Sequence, residues 1–154
     1  MTDDVLTADA SLSLADSYYV DGNYALAINA YEAASILARD PGVRFRSLSH
    51  KSAALMQLGR YDEACSDAKA ALEFSSSGGL RKGETEACYN RVGKSLFHLG
   101  IYEEALTALE KASQLAILNN GDGKNYESII QQCKDKIGTP TTSAADPPVS
   151  SSSA

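Results

Sequence analysis

Tryptophan is absent from this 154-residue chain, and histidine and methionine occur twice each. Two histidines, His50 and His98, leave little for acid–base or metal chemistry. No Gly-x-Ser-x-Gly elbow, phosphate-binding Gly-x4-Gly-Lys loop or His-Glu-x2-His helix occurs. Their absence removes the usual signatures of serine hydrolases, P-loop nucleotidases and zinc proteases. The glycine-rich segments Ser77-Gly-Gly79 and Gly121-Asp-Gly123 precede no strand pattern, so neither reads as a nucleotide loop. Three cysteines, Cys65, Cys88 and Cys133, lack the Cys-x2-Cys pairing of a zinc site. No catalytic residue, metal or cofactor is expected, and the chain does not read as an enzyme.

Long apolar runs are also missing; none approaches the roughly 18 residues of a membrane span. The N-terminal Met-Thr-Asp-Asp-Val-Leu lacks the basic-then-apolar layout of a signal peptide. No Asn-x-Ser/Thr acceptor is present. The odd number of cysteines sits in helical patterns, where a reduced thiol behaves as a small hydrophobe. These features together favour a reducing intracellular compartment, the cytoplasm or the nucleus. Net charge is −6 with a pI near 4.8, which argues against nonspecific nucleic-acid binding. Neither nucleic acid nor membrane is expected as a partner. A hydrophobic fraction of 44% is ordinary for a folded domain.

What is present is self-similarity. Gly22-Asn-Tyr-Ala-Leu-Ala27, Gly59-Arg-Tyr-Asp-Glu-Ala64 and Gly100-Ile-Tyr-Glu-Glu-Ala105 share one spacing of Gly, Tyr and Ala. Each continues into a ladder: Ala27-x3-Tyr31-x2-Ala34, Ala64-x3-Ala68-x2-Ala71 and Ala105-x3-Leu109-x2-Ala112. Positions three and four apart share a helix face, and small residues there let a second helix approach closely. Repetition of this kind marks a repeat architecture.

The pattern resembles the tetratricopeptide repeat: a helix, a tight turn and a second helix. That family's first-helix Leu-Gly-x2-Tyr survives as Leu14-Ala15-x2-Tyr18 and Val92-Gly93-x2-Leu96, and decays to Lys51-Ser52-x2-Leu55. The family's usual Trp is replaced by Ser11, Leu48 and Tyr89. The expected fold is all-α: a right-handed α-solenoid of three hairpins plus a C-terminal capping helix, spanning 1–137. Expected helices run Thr7–Asp21, Tyr24–Ala38, Pro41–Leu58, Tyr61–Phe74, one ending near Leu99, and Tyr102–Leu118. Asp40 is the expected N-cap of the third, with Pro41 at its first position. Gly22, Gly59 and Gly100 fit left-handed helix ends. The second glycine step is longer than the first. Its surplus falls around Ser75–Glu84, as a longer loop or an added turn on the fifth helix. Tyr126, Ile129, Ile130, Cys133 and Ile137 make one apolar stripe for the capping helix. The Ser/Thr/Pro/Ala-rich 138–154 is expected to be a disordered tail or linker.

A short solenoid offers a surface rather than a catalytic pocket. The resemblance implies a concave groove lined by fixed positions of each first helix. These are Asp9, Leu12, Ser13, Asp16, Tyr19 and Val20 in the first; Arg46, Ser49, His50, Ala53, Met56 and Gln57 in the second; and Ala87, Asn90, Arg91, Lys94, Phe97 and His98 in the third. The family's carboxylate clamp would need Lys and Asn, then Asn, then Lys and Arg. Leu12, Asp16, His50, Ala87 and Arg91 stand at those places, and only Arg91 fits. Capture of a C-terminal carboxylate is therefore not expected. Arg46, His50, Arg91, Lys94 and His98 make the later part of the groove basic, suited to an acidic segment of a protein partner. Tyr19, Met56 and Phe97 would add apolar contacts, with Asp16 and Asn90 completing the candidate set.

Three repeats, an extended basic-flanked connection into the third and a Ser/Thr/Pro-rich tail also resemble the N-terminal domain of the Sgt-one co-chaperones. That resemblance implies an adaptor or co-chaperone module associated with the ubiquitin-ligase adaptor Skp-one. Self-association as a homodimer is the alternative.

Overall fold

The computed structural model describes residues 3–138 of the 154, with side-chain surroundings from Thr7 onward. Seven helices follow one another: α1 (Asp3–Val20), α2 (Tyr24–Leu37), α3 (Pro41–Gln57), α4 (Tyr61–Leu72), α5 (Glu84–His98), α6 (Tyr102–Leu118) and α7 (Lys124–Gly138). No strand occurs among the described residues. Each helix packs on the next in chain order, and α1 also touches α3 as α3 touches α5. The first helices of the three hairpins thus form an inner layer, with α2, α4 and α6 outside.

The turns explain the shared glycines. The N–H groups of Gly22, Gly59 and Gly100 donate to the carbonyls of Tyr19, Met56 and Phe97, each at 3.0 Å. One residue later, Asn23, Arg60 and Ile101 donate to Tyr18, Leu55 and Leu96 at 2.8–2.9 Å. Two of the orphan carbonyls of each ending helix are satisfied this way, but only if the glycine is left-handed. The three φ values are 80°, 74° and 80°. The next helix then starts without a side-chain cap, on Tyr24, Tyr61 and Tyr102. Acidic pairs in the first turns of α4 and α6 favour the positive helix end.

Packing confirms the ladders. Ala27, Ala34, Ala64, Ala68, Ala71, Ala105, Leu109 and Ala112 are fully buried, and Tyr31 is nearly so. Gly93 of α5 and Leu109 of α6 approach so closely that a β-carbon on Gly93 would lie 2.5 Å from Leu109 Cγ. One buried cluster joins the first two hairpins through Ala15, Tyr31 and Leu55. A larger one runs from Phe45 through Cys88 and Leu109 to Tyr126 and Cys133, which seats α7 on the end of the stack.

Boundaries shift in places. α1 begins at Asp3 rather than Thr7, α4 stops at Leu72 rather than Phe74, and α7 takes in Gly138. The surplus residues of the longer repeat go entirely into the loop 73–83, since α5 has only 15 residues. Asp40 stands at the N-cap of α3 with Pro41 behind it, but its side chain makes no capping bond. The tail expected over 138–154 lies, beyond Gly138, outside the described residues.

Candidate partner-binding site

A depression of about 230 Å³ opens on the inner layer, lined by Asp16, Tyr19 and Val20 of α1, Tyr31 of α2, His50 of α3 and Arg91 of α5. All three hairpins therefore contribute. His50 and Arg91 each stand nine residues before their turn glycine, so the stacking of repeats brings them side by side.

Its chemistry centres on Asp16. Tyr31 Oη donates to Asp16 Oδ1 at 2.6 Å, and His50 Nδ1 reaches the same oxygen at 3.1 Å. The Asp16 side chain remains 49% exposed, so it faces the mouth while being fixed from behind. Burial, then the bond to Asp16, raises the Tyr31 phenol above the ordinary tyrosine range and keeps it a donor. Burial lowers the His50 pKa, with Arg91 in the same sense, and Asp16 opposes without prevailing. His50 is thus neutral at pH 7, its Nδ1–H donating to the carboxylate. Opposite, Arg91 Nη1 donates to Ser49 Oγ at 2.5 Å. Burial lowers the Arg91 pKa, yet a guanidinium stays protonated. The depression thus presents both a carboxylate and a largely buried guanidinium.

Four of the ten expected site residues meet here: Asp16, Tyr19, His50 and Arg91. Arg46 does not join them. Its Nε donates to Glu84 at 2.7 Å and its Nη2 to the Gly79 carbonyl at 2.7 Å, so its charge is spent holding the loop 73–83. With Arg46 paired and His50 neutral, the basic part of the groove narrows to Arg91 and Lys94. Lys94, one helical turn beyond Arg91, makes no ion pair among the described residues. Asn90 keeps a buried Oδ1 without a hydrogen-bond partner. Met56 packs against the first core cluster. His98 stacks on Tyr61 at 4.2 Å, and Phe97 meets Tyr102 edge-on at 5.4 Å, at the turn end of the groove.

Tyr31 escaped the sequence reading as a site residue because its place in the alanine ladder marks it as packing. A long side chain at a ladder rung otherwise held by Ala68 and Leu109 was the available signal: its ring fills the seam and its hydroxyl passes through to the groove.

Residues 43–117 match the tetratricopeptide repeat family. Among curated proteins, a small glutamine-rich tetratricopeptide repeat-containing protein 2 of Mycosarcoma maydis is 31% identical over 90% of this chain. The chain spans 40% of that relative's length. Among solved structures, the Sgt2 repeat domain of Aspergillus fumigatus superposes with a TM-score of 0.69 at 24% identity, covering 96% of this chain and 89% of that one. The first repeat domain of Spaghetti (RPAP3), solved with the Hsp90 peptide SRMEEVD, gives 0.70 at 20% identity over 88% and 96%. Yeast Sti1 TPR2B, in a complex with an Hsp70 peptide, gives 0.72 at 21% over 85% and 98%. At these identities the superpositions establish the fold. Repeats of this kind serve as protein-interaction modules. Three turns of one bonding pattern, three buried ladders and the family match make this a chain built of tetratricopeptide repeats.

Proposed function

We propose that the chain is a non-enzymatic adaptor of co-chaperone type, which holds an extended segment of a protein partner along its inner groove. The carrying observation is the depression to which all three repeats contribute and which Asp16, His50 and Arg91 line together. An acidic side chain of the partner meets Lys94 and Arg91, and the chain's own Asp16 takes a donor from the bound segment. Asp16 stands where a carboxylate-terminal ligand would need an amide or cation, so recognition runs through internal residues of the partner. Its setting is the cytosol or the nucleus. Skp-one enters as a candidate partner through the weaker family resemblance.

The test uses the acidic peptide SRMEEVD with a free and with an amidated C-terminus, titrated against the protein by fluorescence anisotropy. Equal affinity for the two forms is expected. Lys94→Glu should weaken both about fivefold, the size of one solvent-accessible charge contact. Lys94 is the cleaner position, because reversing buried Arg91 would place a second carboxylate beside Asp16. Loss of binding on amidation alone, or no response to Lys94→Glu, would overturn the reading.

A further inference from the structure

The two junctions between repeats are built differently at matching positions. Lys51 of α3 stands eight residues before Gly59, and Val92 of α5 eight before Gly100. At the first junction Lys51 lies in the seam between the outer helices α2 and α4. Its Nζ pairs with Glu32 of α2 and with Asp67 of α4, the latter at 3.2 Å. The lysine side chain is only 15% exposed, so it closes the seam like a plug. At the second junction the places of Lys51, Glu32 and Asp67 fall to Val92, Lys69 and Ala108. At these three places α5 offers no long side chain to fill the seam, and neither flanking position holds a carboxylate.

A groove of about 440 Å³ remains there, on the outer face between α4 and α6. Leu72, Tyr89, Val92, Leu96 and Ala108 give it a mainly apolar lining. Its rim is polar. Lys69 spans to Glu104 at 3.2 Å, so those two charges cancel. Lys111 also lines the rim, is exposed, and makes no ion pair among the described residues. The unbalanced rim charge is therefore positive.

We infer that this outer groove is a second docking surface, independent of the inner one, for a partner segment that inserts one or two large apolar side chains beside a carboxylate. The volume suits side chains of the size of Leu, Ile or Phe, and the lining is mainly apolar, with the Thr107 hydroxyl already donating to the Glu103 carbonyl. The carboxylate is called for by Lys111, whose charge no ion pair answers among the described residues. A basic segment would meet the uncompensated charge of Lys111 at the rim.

The first junction supplies the control variant. The triple substitution Val92→Lys, Lys69→Glu, Ala108→Asp transplants the plug that this same fold already accommodates between α2 and α4. Panning a displayed library of short random peptides against the unmodified protein should enrich sequences with Leu, Ile or Phe within one helical turn of Asp or Glu. Affinities of the selected peptides should fall at least tenfold on the plugged variant. Lys111→Glu, at an exposed site where folding is not in question, should weaken them about fivefold. Lys94→Glu should leave them unchanged, which separates this groove from the inner one. Helical content and melting temperature verify that the plugged variant folds; if it does not, amide shifts at Val92, Leu96 and Lys111 on adding a selected peptide carry the test. Selected peptides that bind the plugged variant equally well, or that are uncharged or basic, would overturn the inference. So would self-association abolished by the plug, or shifts at the groove on deleting residues 139–154, because a second copy or the chain's own C-terminal segment would then be the occupant.

Discussion

Arg46 and Glu84 lie 2.7 Å apart across the second junction, with side chains only 19% and 16% exposed. The pair ties α3 to the start of α5, while the second nitrogen of Arg46 holds Gly79 in the intervening loop. Burial pushes the Glu84 pKa up, but bonds from Arg46 and from the Arg81 amide outweigh it, and the net shift is downward. The pair therefore stabilises the fold above the ordinary glutamate pKa and loses that contribution as pH falls through the lower native value. Arg46→Ala should cost about 2 kcal/mol in urea denaturation at pH 7, from a lost charge-assisted bond and a stranded carboxylate. Peptide affinity at the inner groove should change little. The opposite pattern, full stability with lost affinity, would return Arg46 to the binding site.

His50 gives the protein a pH dependence opposite to that of an ordinary ion-paired histidine. Its native pKa lies below the unfolded value near 6.5, so the unfolded chain takes up the proton first. Stability should fall as pH drops through about 6.5 and level off once native His50 titrates as well. The groups acting on it are Asp16, Arg91, Glu84 and the ring of Tyr31. His50→Gln should flatten this slope between neutral and mildly acidic pH, measured as melting temperature at each pH. A variant as acid-sensitive as the parent would rule the assignment out.

Gly93 and Leu109 should behave as one unit. A methyl group on Gly93 would gain helix propensity but collide with Leu109 Cγ at 2.5 Å and approach the Ala105 carbonyl at 3.3 Å. Gly93→Ala should therefore destabilise by about 1–3 kcal/mol, as overpacking does. Combined with Leu109→Ala it should cost less than the two changes added together. The middle repeat, with Ser52 and Ala68 at the corresponding places, already uses a smaller facing pair. Additive losses would show that the two residues do not share a contact.

The three thiols should be silent in the native protein. Cys65, Cys88 and Cys133 are all buried, and burial pushes the Cys88 pKa to about 11. A thiolate is the reactive form, so labelling by a disulfide reagent should be slow until denaturant is added. Fast labelling of any one of them without unfolding would place it at a mobile part of the stack.

The helices, their turns and the seams were legible in the chain because each depends on residues a few positions apart. A left-handed glycine followed by Tyr sets the turn. Alanines three and four apart mark the buried face whatever lies elsewhere. Even the resolution of the longer repeat has a local cause, since Ser75–Gly79 holds residues that favour turns over helix. The candidate site was legible only as a set of positions. Asp16, Tyr19, His50 and Arg91 were on it, but so was Arg46, and Tyr31 was not. Lys51 looked like decay of a motif and proved to be a plug.

What the sequence by itself determined, then, is the repeat unit: which segments coil, where each stops and which face it buries. What only the tertiary structure decided is which charges are free. Arg46 meets Glu84 at a separation of 38 positions and His50 meets Asp16 at 34. Neither spacing is a period of any helix. Such partners are set by how far one hairpin rotates on the next, and that rotation follows from packing sizes summed over whole seams, such as Cys88 against Ala68. Among the charges of the described residues that stacking leaves without an ion pair are Lys94 within and Lys111 without, the two lysines on which the proposed sites draw.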